Sequence, residues 1–161
     1  MSTLNPPALD WFADLSVQVG RPQEVGHTVH GQRRLIPILG GEATGQGWTA
    51  RVLPGGADFQ LIVNPRLAEL DARYMLESDD GVTIYMQNKG YLWGREPGTM
   101  ERLRAWAFDG GEAVPHADYY LRAQPTFEAP LGKYDWLTRH VFIGVGERKP
   151  DGNYVKYYRL T

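Results

Sequence analysis

Short runs of alternating apolar and polar residues recur along the whole chain, each cut off by glycine, proline or an Asp-Gly pair. This rhythm constrains the fold more than any other feature, because a period of two marks a β-strand with one buried face. Asp14–Gly20 sets Leu15, Val17 and Val19 against Asp14, Ser16 and Gln18. Asp58–Val63 puts Asp58, Gln60 and Ile62 on one face and Phe59, Leu61 and Val63 on the other. Asp80-Gly81, between Leu70–Glu77 and Val82–Gln87, is a hairpin signal. Further strands are expected over Val25–Leu39, Trp48–Leu53, Asp118–Pro125, Trp136–Val145 and Asn153–Leu160, with a glycine loop at 40–47 and a turn at Asn88–Gly90. Pro37 suits an edge or a bulge. One short helix is expected near Thr99–Trp106, where Met100, Leu103 and Trp106 or Ala107 share a face. The sum is roughly eight to ten strands with no βαβ alternation, the pattern of an all-β sandwich or an up-and-down barrel.

A chain of 161 residues suits one domain with a sizeable core. Residues 1–12, with Asn5-Pro6-Pro7, read as an extended lead-in, and 13–161 as a single β domain. The formal net charge is −2 and no basic run is longer than a doublet (Arg33-Arg34, Arg148-Lys149), which argues against nucleic acid or an anionic membrane surface as partner. There is no cysteine, so disulfides, thiolate catalysis and Cys-ligated zinc are excluded. No signal-peptide pattern and no apolar run of spanning length is visible, so a cytoplasmic location is expected. Trp93, Trp106 and Tyr157 read as surface aromatics and are compatible with a homodimer.

Neither obvious motif indicates a cofactor. The glycines from Gly40 to Gly47 lead into Trp48-Thr49-Ala50-Arg51-Val52, a strand, whereas a phosphate loop needs a helix N-terminus facing the anion. His27, His30, His116 and His140 form no compact ligand set, so no metal is expected. The informative residues are charged ones inside apolar strands: Asp58, Asp71 with Arg73, and Arg122 between Tyr120 and Gln124. If the strands close into a barrel, these faces can converge on a cavity of acids, arginines and aromatic walls suited to a small molecule. On a half-solvated sheet the same alternation only meets water, and Asp71–Arg73 and Arg122–Glu128 are surface ion pairs.

Several stretches resemble the bacterial and fungal family known as domain of unknown function 3237. They are Ile38-Leu39-Gly40-Gly41, Leu53-Pro54-Gly55-Gly56-Ala57-Asp58-Phe59-Gln60, Leu70-Asp71-Ala72-Arg73-Tyr74, Asp80-Gly81-Val82-Thr83-Ile84, Asn88-Lys89-Gly90, Tyr120 through Glu128, and Tyr134-Asp135-Trp136-Leu137. They run in consistent order from about Ala13 to the C-terminus. The resemblance implies a compact barrel of lipocalin-like or allene-oxide-cyclase-like architecture, without an agreed activity. The family pattern includes Asp58, Asp71, Arg73, Arg122 and Glu128, which favours the cavity over the solvated face. It usually has Trp at Phe59 and Asn at Thr138, so any role of that amide is absent here.

These observations predict a closed or nearly closed antiparallel barrel with a polar-lined interior. They suggest a cofactor-independent isomerase, cyclase or lyase acting on a small apolar or aromatic oxygenated substrate. Asp58 is the expected general acid/base, Arg73 and Arg122 the electrophilic stabilisers, and Glu128 a second acid. Gln60, Tyr74, Tyr120, Tyr134, Trp136 and Thr138 are the expected substrate contacts. A barrel that only binds a hydrophobic ligand, and a scaffold with a filled interior, share the same architecture.

Overall fold

Glycine and proline cut two of the barrel positions in half. β1 (Leu9–Val19) and β2 (Gln23–Thr28) run in the same direction along β3 (Gly31–Gly45), separated by Gly20-Arg21-Pro22. β4 (Trp48–Val52) and β5 (Ala57–Asn64) likewise lie end to end between β3 and β6 (Leu67–Ser78), with Pro54-Gly55 at the break. β7 (Thr83–Gly94), β8 (Tyr119–Glu128), β9 (Phe142–Lys149) and β10 (Gly152–Leu160) continue the meander, and β10 pairs β1 to close it. The computed structural model, which describes residues 2–161, is thus a closed antiparallel barrel of eight strand positions with two extra strands and one short helix.

Each end has its own cover. α1 (Thr99–Phe108), entered through Gly98 at φ 85°, buries Thr99, Leu103 and Ala107 over the end where β7 leaves and β8 enters. The other end is closed by a 3-10 segment, Asp135–Arg139, between β8 and β9. No described helix is long and apolar enough to cross a membrane.

Several expected boundaries move. Gly40–Gly45 is not a loop but the second half of β3, held between β1 and β4. Gly41 has φ 140°, and a Cβ there would sit 2.0 Å from the Ser16 carbonyl oxygen, so glycine lets β3 cross β1 closely. Asn88-Lys89-Gly90 is the middle of β7 and not a turn, because both neighbouring strands bond it throughout. Trp136 lies in the 3-10 segment, and β9 begins only at Phe142 but runs on to Lys149. β1 starts at Leu9, inside the expected lead-in. Pro37 lies beside the β1/β2 break, where its carbonyl accepts the Gly20 N–H at 2.8 Å. Tyr157, read as a surface aromatic, is fully buried, and Trp93 and Trp106 are half-buried, so the aromatic argument for a dimer loses its basis.

Candidate functional site inside the barrel

Alternation decides what each strand sends inward. β5 contributes Asp58 and Gln60, β6 Leu70, Ala72 and Tyr74, and β7 Asn88 and Leu92. β9 sends Phe142, Gly144, Gly146 and Arg148 inward, and β10 Asn153, Val155 and Tyr157. The glycines matter, since a Cβ at Gly146 would meet the Leu121 side chain at 2.5 Å and one at Gly144 the Tyr157 ring at 2.7 Å. What remains between these side chains is a cavity of about 60 Å³ on the α1 side of the barrel. That is small beside the roughly 300–1,000 Å³ of a drug-sized pocket.

Asp58 organises its polar wall. Its Oδ1 accepts the backbone N–H of Asp71 at 2.9 Å, and its Oδ2 accepts Gln60 Nε2 at 2.7 Å. The β5–β6 ladder is interrupted here, between the Asp58–Ala72 and Leu61–Glu69 pairs, and the carboxylate supplies an acceptor at the gap. Gln60 Oε1 in turn accepts Arg34 Nε at 2.9 Å, which fixes the orientation of the Gln60 amide. Asp58 keeps partial accessible surface, but it lines the cavity. Burial therefore raises its pKa, outweighing the lowering by Gln60, the Asp71 N–H and the charges of Arg148 and Arg34.

Arg148 is 4% exposed, beneath α1, with its guanidinium 5.6 Å from the Phe108 ring centre. Nη1 donates to Asn153 Oδ1 at 3.0 Å, while Nε is buried without a partner. Burial and the nearby Arg34 charge lower its pKa to about 10, so it stays a cation at neutral pH. Burial also lowers the Arg34 pKa. Across the cavity Asn88 Nδ2 donates to Tyr157 Oη at 2.8 Å, and Tyr74 lines the same wall. Burial raises the pKa of both phenols, so both are neutral donors and acceptors. Asn88 Oδ1 is a second buried atom without a partner.

The predicted residues divide sharply. Asp58, Gln60 and Tyr74 line the cavity. Arg73, Arg122, Glu128 and Tyr120 do not, because strand alternation turns them outward. Arg73 pairs with Asp71 at 3.0 Å on the outer face. Arg122 caps its neighbour's Leu121 carbonyl and lies 4.8 Å over the Tyr120 ring, and makes no ion pair with Glu128, which is exposed. Tyr134 and Trp136 belong to the opposite end, where the Tyr134 hydroxyl donates to Asp80 and Trp136 packs edge-on to Phe12. Thr138 is exposed there. The cations near Asp58 are instead Arg148, on the cavity wall, and Arg34, which is half-buried and reaches Gln60 from beside it, neither singled out from sequence. Arg34 was legible, since it shares parity with Ile36 and Ile38 on β3. Arg148 was not, because β9 fills its inward face with glycine and puts Ile143 and Val145 outside.

The family model described as protein of unknown function (DUF3237) matches residues 7–160. A UPF0311 protein from Rhodopseudomonas palustris is 39% identical over 137 residues, 85% of this chain and 86% of that one. The crystal structure of that conserved protein of unknown function superposes with a TM-score of 0.88 over 98% of this chain and all of that one, at 32% identity. A β-barrel-like protein from Acinetobacter baumannii gives a TM-score of 0.83 at 35% identity, with both chains fully covered. An enzyme from Penicillium herquei shares the fold, with a TM-score of 0.71 at 17% identity over 100% of this chain and 99% of that one.

Proposed function

The chain belongs to the DUF3237 family, and for this member we propose a cofactor-independent acid–base enzyme working inside the barrel. The reaction class is isomerisation, cyclisation or lyase-type addition and elimination on a small oxygenated substrate. One observation carries the reading: a part-buried carboxyl, Asp58, faces a cavity whose wall also carries the buried Arg148 guanidinium, with Arg34 adding a second positive charge nearby. Desolvation moves the Asp58 pKa toward the range where a carboxyl can both take and return a proton. Each Asp58 oxygen already accepts one hydrogen bond, so the remaining lone pairs are left for a substrate proton. Arg148, fixed by Asn153, stands ready for the negative charge that develops when a proton leaves carbon or oxygen. The fold shared with an enzyme from Penicillium herquei is compatible with catalysis and says nothing of the reaction.

The test needs no knowledge of the natural substrate. Purified protein is incubated in deuterated water with pyruvate, acetoacetate and dihydroxyacetone, and loss of the C–H signals is followed by NMR. The expected result is exchange above the protein-free rate that falls by about 10²-fold or more in Asp58→Asn. Equal exchange in Asp58→Asn, or none in the wild type, overturns the proposal. The two hydrogen bonds that hold Asp58 in place favour a second reading, in which it only orients a bound ligand. That reading gives binding without exchange.

A further inference from the structure

Acid–base chemistry at Asp58 leaves the charge balance of the cavity unexplained. Two guanidinium groups, Arg34 and Arg148, bear on this one carboxylate. The other charges acting on the set are Glu24 and Arg104, both near Arg34 and of opposite sign. Around the carboxylate there is therefore one cation in excess with Asp58 ionised, and two with it protonated; of the two, Arg148 is buried on the cavity wall and Arg34 is half-buried outside it. Among the described residues neither arginine is in a salt bridge. Uncompensated buried charge is costly, and an anion that enters removes the imbalance.

Two unpartnered atoms specify the shape of that anion. Arg148 Nε is a buried donor and Asn88 Oδ1 a buried acceptor, and both residues line the same cavity. Asn88 gives its amide N–H to Tyr157 Oη at 2.8 Å, which leaves the carbonyl end of the amide as the free acceptor. An anionic oxygen satisfies Arg148, and a hydroxyl satisfies Asn88. The cavity volume of about 60 Å³ limits the enclosed part to a few non-hydrogen atoms. We propose that the barrel cavity receives a small hydroxylated organic monoanion, its anionic oxygen on Arg148 Nε and its hydroxyl donating to Asn88 Oδ1. Arg34 offers a route in, since it bonds Gln60 of the cavity wall and lines a surface groove with Met100 and Arg104 of α1 and Pro65 of the β5–β6 turn. This assignment rests on the acid–base reading only for placing the reacting atoms beside Asp58.

The experiment is a calorimetric titration of the whole protein with lactate, propanoate, lactamide and chloride at constant ionic strength. Lactate binds most tightly, propanoate more weakly for lack of the hydroxyl, and lactamide and chloride most weakly. Arg148→Met weakens lactate by about tenfold or more, as loss of a charge-assisted hydrogen bond requires. Asn88→Ala removes the preference for lactate over propanoate. Lactamide binding as well as lactate, chloride competing equally, or no binding of lactate overturns the proposal, and these comparisons need no variant to fold. Asp58→Asn separates the two readings. If it keeps lactate binding and loses deuterium exchange, both stand. If it keeps exchange, acid–base catalysis fails and the anion site survives. If lactate binding is indifferent to Arg148→Met while Asp58→Asn is inactive, the anion site alone fails.

Discussion

The two ends of the barrel are built from the same strands on opposite principles. Toward the 3-10 cover, Phe12, Phe127, Phe142, Leu15, Ile84 and Leu137 fill the interior, and Phe142 lies 4.8 Å from Phe12 and 5.2 Å from Phe127 between ring centres. Toward α1 the same inward positions carry Asp58, Gln60, Arg148, Asn153 and Asn88, and the packing leaves a cavity with two unpartnered polar atoms. β9 shows the change within one strand: Phe142 at one end, Arg148 at the other, and glycines between. A closed barrel needs only part of its interior to be densely apolar. The rest is free to hold desolvated polar groups, which stabilise the fold little and suit chemistry.

The largest expected effect tests that division. Phe142→Ala removes a fully buried ring from the aromatic cluster and is expected to cost about 3–5 kcal/mol in equilibrium denaturant unfolding. Arg148→Met, at an equally buried position of the same strand, is expected to cost less than about 1 kcal/mol or to stabilise, because it removes a desolvated cation. A loss at Arg148 matching that at Phe142 would mean that the polar network is structural, as in the scaffold reading.

Next come two pH effects of opposite sign. At the aromatic end Asp80 accepts from Lys133, Ser78 and the Tyr134 hydroxyl, and these bonds hold its carboxyl well below the usual range. Its stabilising contribution is complete above the unfolded value of about 4 and is lost as pH falls through the lower folded value. Asp58 is the reverse. Its folded pKa is raised, so the folded state binds a proton that the unfolded state has released, and stability falls as pH rises from about 4 through the folded value. Thermal unfolding of Asp80→Asn should lose part of the acid-side slope, and that of Asp58→Asn the decline above it. The same slopes in wild type and variants would contradict this account of the two carboxyls.

How much of this was legible follows from how strands show their faces. Alternation placed Asp58 with Gln60, because apolar partners on the opposite face marked the parity, and its rhythm fitted a sandwich or a barrel, between which the family resemblance chose. It failed for Asn88, whose neighbours Lys89 and Gly90 have turn composition although β7 passes straight through them. It failed for β9, where inward glycines hide the period and outward Ile143 and Val145 suggest the wrong face. The choice of Arg73 and Arg122 over Arg34 and Arg148 has the same cause. A residue's parity is fixed by its strand, but which parity faces the cavity depends on how the barrel closes, which is a long-range property.

The smallest expected effects fall on those outward residues, where the sequence pointed to function and the fold does not. Arg73 is exposed, and its partner Asp71 also accepts Gln87 Nε2 at 2.9 Å, so Asp71 keeps a partner when Arg73 is removed. Arg122 spends its guanidinium on a local carbonyl and the Tyr120 ring. Arg73→Ala and Arg122→Ala are each expected to leave stability nearly unchanged, as the loss of an exposed pair or a local surface contact does. Neither should alter the exchange rate in deuterated water. A large loss of exchange in Arg122→Ala with the fold intact would move the site from the interior to the outer groove that Arg122 lines with Asp71, Lys89 and Tyr91. Because Arg122 and Ala123 are successive residues of β8, one outside and one on the cavity wall, that single pair of positions decides which face of the strand carries the chemistry.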